Sequence, residues 1–505
     1  MTRDLLHKRA FLASAAAIVL PFIVFVMHAM LFRNWIVDDA GITFAYARNL
    51  AQGNGLVSQP GAAPVEGYSN FTWVALLSPL FLVKLFNPVV TPKVISFILI
   101  LITFITTHMT FRLITPRFNI ASAIVLSLLS INVSFVAWTT SGLENPLLVL
   151  LLSQLFYWTV KYNHAGNENR TKITYGLGLI AAFIAMSRPE GIIYFLAFPL
   201  LLLAQIAWRR VPAKPAMKNL FNYWTFFAWP LVAFLLFRYF YFGDILPNTF
   251  YAKQTASVAN LGLATLGDLL RGMAPAWGYF LLASMIAAVI IGVRGRVFLK
   301  DHLALALLLL CSLASFSLLE ADWMKELRFA TGVIFFFYCF AFIAFDAAIA
   351  SLFANKLSVA AAGLILAVIF IWSAIPSFIE RTNDFRQDPI ISFNDVGEHY
   401  APWFNRIADR LDIKDGSLLT PDIGGELYYS DLKIYDLGGL CDKTIARAWG
   451  KDQAALNDYV YETLKPSFIF NHANWGGAQI EADSRLQQNY AVMSKKNESV
   501  VYGNL

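Results

Sequence analysis

Two adjacent acids, Asp38 and Asp39, are the residues of this chain best placed to do chemistry. They follow a long apolar run by a few positions, so they lie at the membrane edge if that run spans a bilayer. Partial desolvation and the neighbouring negative charge raise the pKa of one such carboxyl toward the range of a general base. The pair by itself equally suits a helix N-terminus, where the helix dipole favours acids.

The elements that must position these acids are membrane helices. Of the 505 residues, 58% are hydrophobic and 14% are charged, which is more apolar surface than one soluble core can bury. The net charge of +6 comes from Lys and Arg in short loops between apolar runs, a topological pattern and not a nucleic-acid surface. The composition predicts a polytopic α-helical membrane protein that needs the lipid bilayer and binds no nucleic acid.

The apolar runs predict eleven spanning helices. A basic start precedes the first of them, which places the N-terminus in the cytoplasm. The run 71–86 is short and contains Pro79, and its crossing would turn three basic loops outwards, so it is predicted to stay at the outer interface. The predicted spans are 11–32, 93–114, 119–138, 142–160, 173–187, 190–208, 221–242, 275–294, 302–320, 328–352 and 357–378.

This topology places the acidic, turn-rich loops and the C-terminal region on the same outer side. Residues 1–378 are therefore predicted to form a transmembrane domain with outer-face loops. Charges, Asn and Gly become frequent from residue 379, so 379–505 is predicted to be an extracytoplasmic (periplasmic) soluble α/β domain. Its predicted elements are strands at 417–420, 433–436 and 467–470, a turn at 423–425 and a helix at 453–464.

Further polar residues on the outward face are candidate binding groups. Glu66 either brings a second carboxylate to the acid pair or belongs to a helix start, and Asn70 is better explained as a cap of the following helix. Glu144 suits a helix start and also a grip on a sugar hydroxyl. Basic residues at outward helix ends either snorkel to lipid headgroups or hold a lipid phosphate; they are Arg188, Arg238, Lys253, Lys325 and Arg328.

One more outward loop combines Asp322 and Trp323 with the bases Lys325 and Arg328, an acid and an aromatic platform beside cations. Trp323 alone would only indicate membrane anchoring. His108 has no second histidine nearby, so it predicts no metal site. The three cysteines show neither a disulfide framework nor metal-ligand spacing and are interpreted as structural; they are Cys311, Cys339 and Cys441.

Taken together, these motifs resemble the integral-membrane glycosyltransferases of the type C superfamily, and within it the arabinofuranosyltransferases of bacterial cell envelopes. The likeness covers residues 30–330 and extends weakly to TPDIGGELYYSDLKIYDLGGL. Two departures are Ala45, where relatives commonly have Arg, and Glu320-Ala321-Asp322, where Gly-Asp is frequent. The motifs are DDA, YARNL, GNGLV, VEGYSN, SGLENP, RPEG, GDILPNTFYAK and DWMKELRF.

The resemblance implies an inverting enzyme of the bacterial inner membrane. It implies a polyprenyl-phosphate sugar as donor, a glycan, glycolipid or protein as acceptor, and Asp38 as general base with Asp39 beside it. Some relatives use a divalent cation, which Asp38, Asp39 and Glu66 could hold. The implied substrate-binding residues are Glu66, Tyr68, Asn70, Glu144, Arg188, Glu190, Arg238, Asn248, Lys253, Asp322, Trp323 and Arg328.

Three other functions stay open at this point. A hexose or aminosugar transferase of the same superfamily would share every motif. A transporter or flippase of lipid-linked sugars is disfavoured, because its ionisable residues would follow a path near the bilayer midplane and not one face. A sensor with a glycan-binding outer domain would leave the membrane part inert.

Overall fold

The computed structural model describes residues 3–114, 119–253, 300–319, 324–352, 356–472, 480–496 and 499–505, with a few single positions between 267 and 290. The chain divides into two compact units. The helical unit contains residues Met1–Asn34, Pro92–Ala233 and Asn260–Ile390, and the mixed unit contains Trp35–Thr91, Phe234–Ala259 and Ile391–Leu505.

Long apolar helices build the helical unit. Between two of them, the side chain of Asn132 accepts a hydrogen bond from the Phe135 amide at 2.9 Å and begins a new helix. The helices are Arg3–Leu31, Val90–Ile114, Asn119–Ile131, Val133–Thr139, Asn145–His164, Asn167–Ser187, Ala197–Ala207, Ala213–Phe242, Lys300–Ser317, Thr331–Leu352 and Lys356–Gln387, with 3₁₀ turns at Pro189–Leu196 and Arg328–Ala330. The first two residues of Val90–Ile114 and the last nine of Ala213–Phe242 belong to the mixed unit.

Five helices of the described residues are long and apolar enough to cross a membrane, so the predicted count of eleven is not confirmed. A sixth is obtained if Ala121–Ile131 and Val133–Thr139, which meet at 73°, form one broken span. The predicted span 275–294 lies outside the continuously described ranges. The five helices are Phe11–Leu31, Val90–Ile114, Pro189–Ala207, Ala213–Phe242 and Lys300–Ser317.

Other predicted spans are helices that carry buried polar side chains and therefore look less apolar. In Asn145–His164, the Gln154 amide donates to the Thr106 hydroxyl at 2.8 Å and Asn163 donates to Asp301 at 2.8 Å. Such bonds satisfy polar groups inside a helix bundle. The helix Phe71–Leu82 has 12 residues. At about 1.5 Å per residue it is shorter than the roughly 30 Å hydrocarbon core, as a non-crossing helix would be.

The mixed unit contains a five-stranded sheet in the order β2-β1-β3-β5-β4. Strand β1 pairs in parallel with β2 and β3, and β5 pairs antiparallel with β3 and β4. The strands are β1 (Ser417–Thr420), β2 (Lys433–Asp436), β3 (Phe468–His472), β4 (Tyr490–Lys496) and β5 (Ser499–Asn504). The helical segments are Asp39–Ala51, Phe71–Leu82, Asn248–Ala252, Phe393–Asp395, Val396–Tyr400, Ala401–Arg410, Gly424–Tyr429, Lys443–Ala448, Gln453–Asp458, Tyr459–Leu464 and Ser484–Asn489.

The strand-containing C-terminal domain is confirmed. The predicted strands 417–420 and 433–436 coincide with β1 and β2, and the predicted helix 453–464 is present. Side chains from these elements meet in one core that includes Leu419, Leu437 and Ile469. The predicted turn at 423–425 is wrong at its end, because Gly424 begins a helix. Strand β4 was not predicted, since it is an exposed edge strand and its Lys residues mask the strand pattern.

Candidate active site

Asp38 is buried, with 3% of its surface exposed. Its Oδ2 accepts a hydrogen bond from the Gly424 amide at 2.8 Å and its Oδ1 accepts one from the Gly425 amide at 2.7 Å. Asp38 also precedes the helix Asp39–Ala51, but its side chain makes no capping bond to that helix. The carboxylate therefore accepts its hydrogen bonds from a segment that begins 386 residues further along the chain.

Glycine is required at this contact because the two backbones approach closely. A Cβ atom on Gly424 would lie 1.7 Å from the Asp38 carbonyl oxygen. A Cβ atom on Gly41 would lie 2.4 Å from the Gly424 carbonyl carbon. Both distances are far below van der Waals contact, so any larger residue would separate the Asp38 carboxylate from its two N–H donors.

Three acids gather around this contact. Burial raises the pKa of Asp38 well above its usual range, and the charge of Asp422 raises it further, while the N–H groups of Gly424 and Gly425 act in the opposite sense. Glu426 is 1% exposed, and neither carboxyl oxygen has a hydrogen-bond partner among the described residues. Burial and the neighbouring Asp38 raise the pKa of Glu426 to about 8, so this side chain is mostly neutral at pH 7.

Asp39 is half-buried and occupies the first turn of its helix. Its charge is a further, smaller cause of the raised pKa of Asp38. Adjacent helical residues point about 100° apart, so the two acids face different surroundings.

A second buried acid of the mixed unit, Glu66, is neutralised by a cation. The Arg238 Nε lies 2.7 Å from Glu66 Oε2, and Arg238 Nη2 donates to Glu66 Oε1 at 3.1 Å. Arg238 Nη1 also donates to the Ile245 carbonyl at 3.0 Å. Burial raises the pKa of Glu66 to about 7 although Arg238 opposes this shift. This pair fastens the loop that holds Glu66 to the end of the helix Ala213–Phe242.

Asn248 fastens a third loop. Its backbone N–H donates to the Glu66 carbonyl at 3.0 Å. Its side-chain amide donates to the carbonyls of Gly439, Leu440 and Asp442 at 2.8, 2.9 and 3.2 Å. The side-chain nitrogen of Asn248 is thus committed to backbone groups inside the mixed unit, while its Oδ1 has no hydrogen-bond partner among the described residues.

The remaining predicted residues of the mixed unit differ in exposure. Tyr68 is 3% exposed, and the centre of its ring lies 4.8 Å from the centre of the Tyr46 ring. The Tyr68 hydroxyl has no hydrogen-bond partner among the described residues. Asn70 precedes the helix Phe71–Leu82 as predicted, but its amide donates to the Thr43 hydroxyl at 3.2 Å and does not cap the helix. Lys253 is exposed at the end of the helix Asn248–Ala252.

In the helical unit, Arg188 lies between two carboxylates. Its Nη1 is 2.6 Å from Glu144 Oε1 and its Nε pairs with Glu190. The Arg188 guanidinium stacks on the Phe329 ring at 4.5 Å, and the Arg328 guanidinium stacks on the same ring at 4.6 Å. Glu144 precedes the helix Asn145–His164, as predicted.

Arg188, Glu190, Arg328 and Phe329 border a small cleft. Hydroxyl and amide groups share its walls with two arginines, one carboxylate and two aromatic rings, a combination suited to a hydroxyl-rich ligand. The cleft is lined by Asn145, Leu148, Arg188, Glu190, Gly191, Tyr194, Ser312, Ser315, Arg328, Phe329, Thr331 and Gly332.

Asp322 and Trp323 lie outside the described residues. The predicted meeting of the Glu144, Arg188, Asn248 and Asp322 loops with Asp38 therefore stays a prediction. Four residues that matter at Asp38 were not predicted as site residues: Asp422, Gly424, Gly425 and Glu426. The available signal was the pair of glycines before a glutamate, in a motif that the resemblance reached only weakly.

The three possible cation ligands do not come together as a metal site. Glu66 is bound to Arg238, and each oxygen of Asp38 already accepts one backbone N–H bond. Within the described ranges, no group of three or more His, Cys, Asp or Glu side chains could hold a metal ion.

The chain is similar in sequence to the terminal β-(1→2)-arabinofuranosyltransferase of Mycobacterium tuberculosis, at 28% identity over 238 residues. That alignment covers 44% of this chain and 36% of the relative, so the chain matches about a third of that protein. A family model described as "Domain of unknown function (DUF8728)" matches residues 396–502.

Solved structures share the fold. The chain is similar to ArnT from Cupriavidus metallidurans bound to undecaprenyl phosphate, with 13% identity, coverage of 99% and 98% of the two chains and a TM-score of 0.57. It is also similar to the oligosaccharyltransferase AglB from Archaeoglobus fulgidus in complex with an inhibitory peptide and a dolichol-phosphate, with 10% identity, coverage of 97% and 74% and a TM-score of 0.61. These findings confirm the resemblance to the type C glycosyltransferases, whose fold this chain has.

Proposed function

We propose that this protein is an inverting glycosyltransferase of the bacterial inner membrane. It moves a sugar from a polyprenyl-phosphate donor to a glycan, glycolipid or protein acceptor on the extracytoplasmic face. The observation that carries this proposal is the buried Asp38 carboxylate with its raised pKa, in a chain with the type C fold. The sequence similarity to an arabinofuranosyltransferase supports arabinofuranose as the sugar.

In the proposed reaction, Asp38 accepts the proton of an acceptor hydroxyl. The resulting oxygen nucleophile attacks the anomeric carbon, and the bond from that carbon to the phosphate oxygen breaks with inversion. The electron pair leaves with the polyprenyl phosphate. Each Asp38 oxygen accepts one N–H bond, which leaves a second lone pair on each oxygen for the incoming proton.

We propose separately that the cleft of the helical unit binds the phosphate and sugar groups of a lipid-linked ligand. Arg328 would bind the phosphate by a charge-assisted hydrogen bond. Arg188, whose charge is shared between Glu144 and Glu190, would orient the sugar hydroxyls together with those carboxylates. The lipid ligands of the two solved structures, undecaprenyl phosphate and dolichol-phosphate, support a donor of this class.

A turnover assay tests the proposal. Purified protein in nanodiscs is incubated with a synthetic polyprenyl-phosphate arabinofuranose and an arabinan oligosaccharide, and product formation is followed by mass spectrometry. Transfer with release of polyprenyl phosphate is the expected result, and the Asp38→Asn variant is the negative control. Absence of transfer from every donor tested would contradict the proposal.

The same assay separates the alternatives. Transfer from a polyprenyl-phosphate hexose or aminosugar, but not from the arabinofuranose donor, would keep the reaction type and change the sugar. Movement of an intact fluorescent donor across liposomes without hydrolysis or transfer would indicate a flippase.

A further inference from the structure

The short helix Gly424–Tyr429 is held at both ends by residues of one other segment, the helix Asp39–Ala51 together with Asp38, which precedes that helix. At its start, the Gly424 and Gly425 amides donate to the Asp38 carboxylate at 2.8 and 2.7 Å. At its end, Arg48 Nη2 donates to the Leu427 carbonyl and Arg48 Nη1 to the Tyr428 carbonyl, each at 2.8 Å. An acid thus meets the helix N-terminus and a base meets its C-terminus, the arrangement that the helix dipole favours.

Two packing contacts complete this attachment. The Arg48 guanidinium lies 4.6 Å from the centre of the Tyr428 ring. Between the ends, Gly41 and Gly424 approach so closely that neither position has space for a Cβ atom. Glycine is also needed at Gly425, where a Cβ atom would lie 2.5 Å from the Gly397 amide nitrogen. The short helix therefore has little freedom to shift relative to Asp38.

We propose that the C-terminal domain, residues 396–502, is a positioning element of the transferase. In this role the helix Gly424–Tyr429, which Arg48 anchors, fixes the carboxylate of the catalytic base Asp38. This inference rests on the proposed function. It assigns to residues 396–502 a role in the chemical step, whereas the sequence alone predicted a soluble α/β domain and no role for it.

The contact controls both the direction and the charge of the base. Two N–H groups on two different oxygens fix the plane of the carboxylate, and a misplacement of about 1 Å can cost 10²-fold in rate. The N–H groups also favour the ionised form of Asp38, against burial and the charges of Asp422 and Asp39. Losing them would leave Asp38 protonated at a higher pH and therefore inactive as a base.

Arg48→Met tests the inference because it releases the far end of the short helix without touching Asp38. We expect kcat to fall about tenfold or more, the KM for a polyprenyl-phosphate sugar to change less than about twofold, and the acid limb of the pH–rate profile to move up by about one unit. Arg48→Lys keeps the charge but cannot bond both carbonyls as a fork, so it should give an intermediate shift.

Gln59→Ala is the matched control. Gln59 also binds the C-terminal domain, since its side-chain amide donates to the Ile434 carbonyl at 2.7 Å and accepts from the Ile434 N–H at 3.1 Å. Ile434 lies in strand β2 and not in the helix that contacts Asp38. This variant should keep the native kcat and pH profile.

Folding is checked by size-exclusion elution and thermal melting of each variant. Native kcat and an unmoved acid limb in folded Arg48→Met, or the same shift in Gln59→Ala, would overturn the positioning role while the proposed function stands. Failure of the unmodified protein to transfer sugar from any donor would instead overturn the proposed function and this inference with it.

Discussion

The surroundings of Asp38 in the mixed unit and of Arg188 in the helical unit handle buried charge in opposite ways. Asp38 is held by neutral N–H groups and has the acids Asp422 and Asp39 as charged neighbours, so its pKa rises. Arg188 is matched by Glu144 and Glu190. A general base needs an uncompensated carboxylate, whereas a binding cleft needs fixed dipoles that do not titrate. The contrast supports separate chemical and binding roles.

Removing Arg188, the cation that balances Glu144 and Glu190, should have the largest effect on stability. In Arg188→Met, the Glu144 and Glu190 carboxylates lose the guanidinium group that pairs with both of them. Breaking a buried pair in this way costs about 3–5 kcal/mol, and we expect a correspondingly lower Tm in detergent. Lys172→Met, an exposed cation of the same unit, is the control and should change stability by less than about 0.5 kcal/mol. Equal Tm values for the two variants would mean that Arg188 is not a stabilising partner.

Removing the charge of Asp38, which is held by neutral N–H groups, should affect the turnover rate more than the stability. Asp38→Asn keeps the shape of the side chain but removes the base, so turnover should fall by roughly 10² or more while donor binding survives. Asp39→Asn should act on acceptor binding and leave more turnover. Kinetics with a polyprenyl-phosphate sugar and a direct donor-binding measurement check both. Loss of activity only in Asp39→Asn would reverse the roles, and full activity in both would contradict the proposed mechanism.

A third experiment distinguishes two roles of Asn248 in the mixed unit, stabilising the fold and contacting the substrate. Asn248→Ala removes three hydrogen bonds to the carbonyls of Gly439, Leu440 and Asp442. Stability should fall by about 1–3 kcal/mol, because these buried acceptors lose their donor. If Asn248 acts through the fold alone, the KM values for donor and acceptor stay native in the surviving folded fraction. A raised donor KM with native Tm would indicate direct substrate contact.

The smallest effect is expected from Glu426 and depends on pH. Its folded pKa is raised from 4.5 to about 8, so the folded state binds a proton that the unfolded state releases, and stability falls as pH rises between these values. Glu426→Gln keeps a neutral side chain and avoids this loss. Its Tm should exceed that of the native protein by roughly 2–4 °C at pH 8 and by less at pH 5. A constant difference across this range would contradict the raised pKa.

Residues with local signals were predicted well. The membrane class followed from composition, and β1 and β2 followed from short β-type runs beside turn residues. Five predicted spans coincide with helices apolar enough to cross a membrane. The full count was not confirmed, because half-buried or buried polar groups such as Gln154 and Asn163 make interior helices less apolar than their position would require.

The sequence by itself determined the class of protein, the helix-forming runs and the acids worth testing, because hydrophobicity, spacing and motif are local properties of the chain. Only the tertiary structure decided which charges are compensated. Glu66 and Asp38 look alike in sequence, yet one is paired with Arg238 and the other is held by Gly424 and Gly425. These partners are 172 and 386 or more residues away, and no local pattern encodes such distances. The chemistry of each acid is set by that long-range packing, since burial and partners control its pKa.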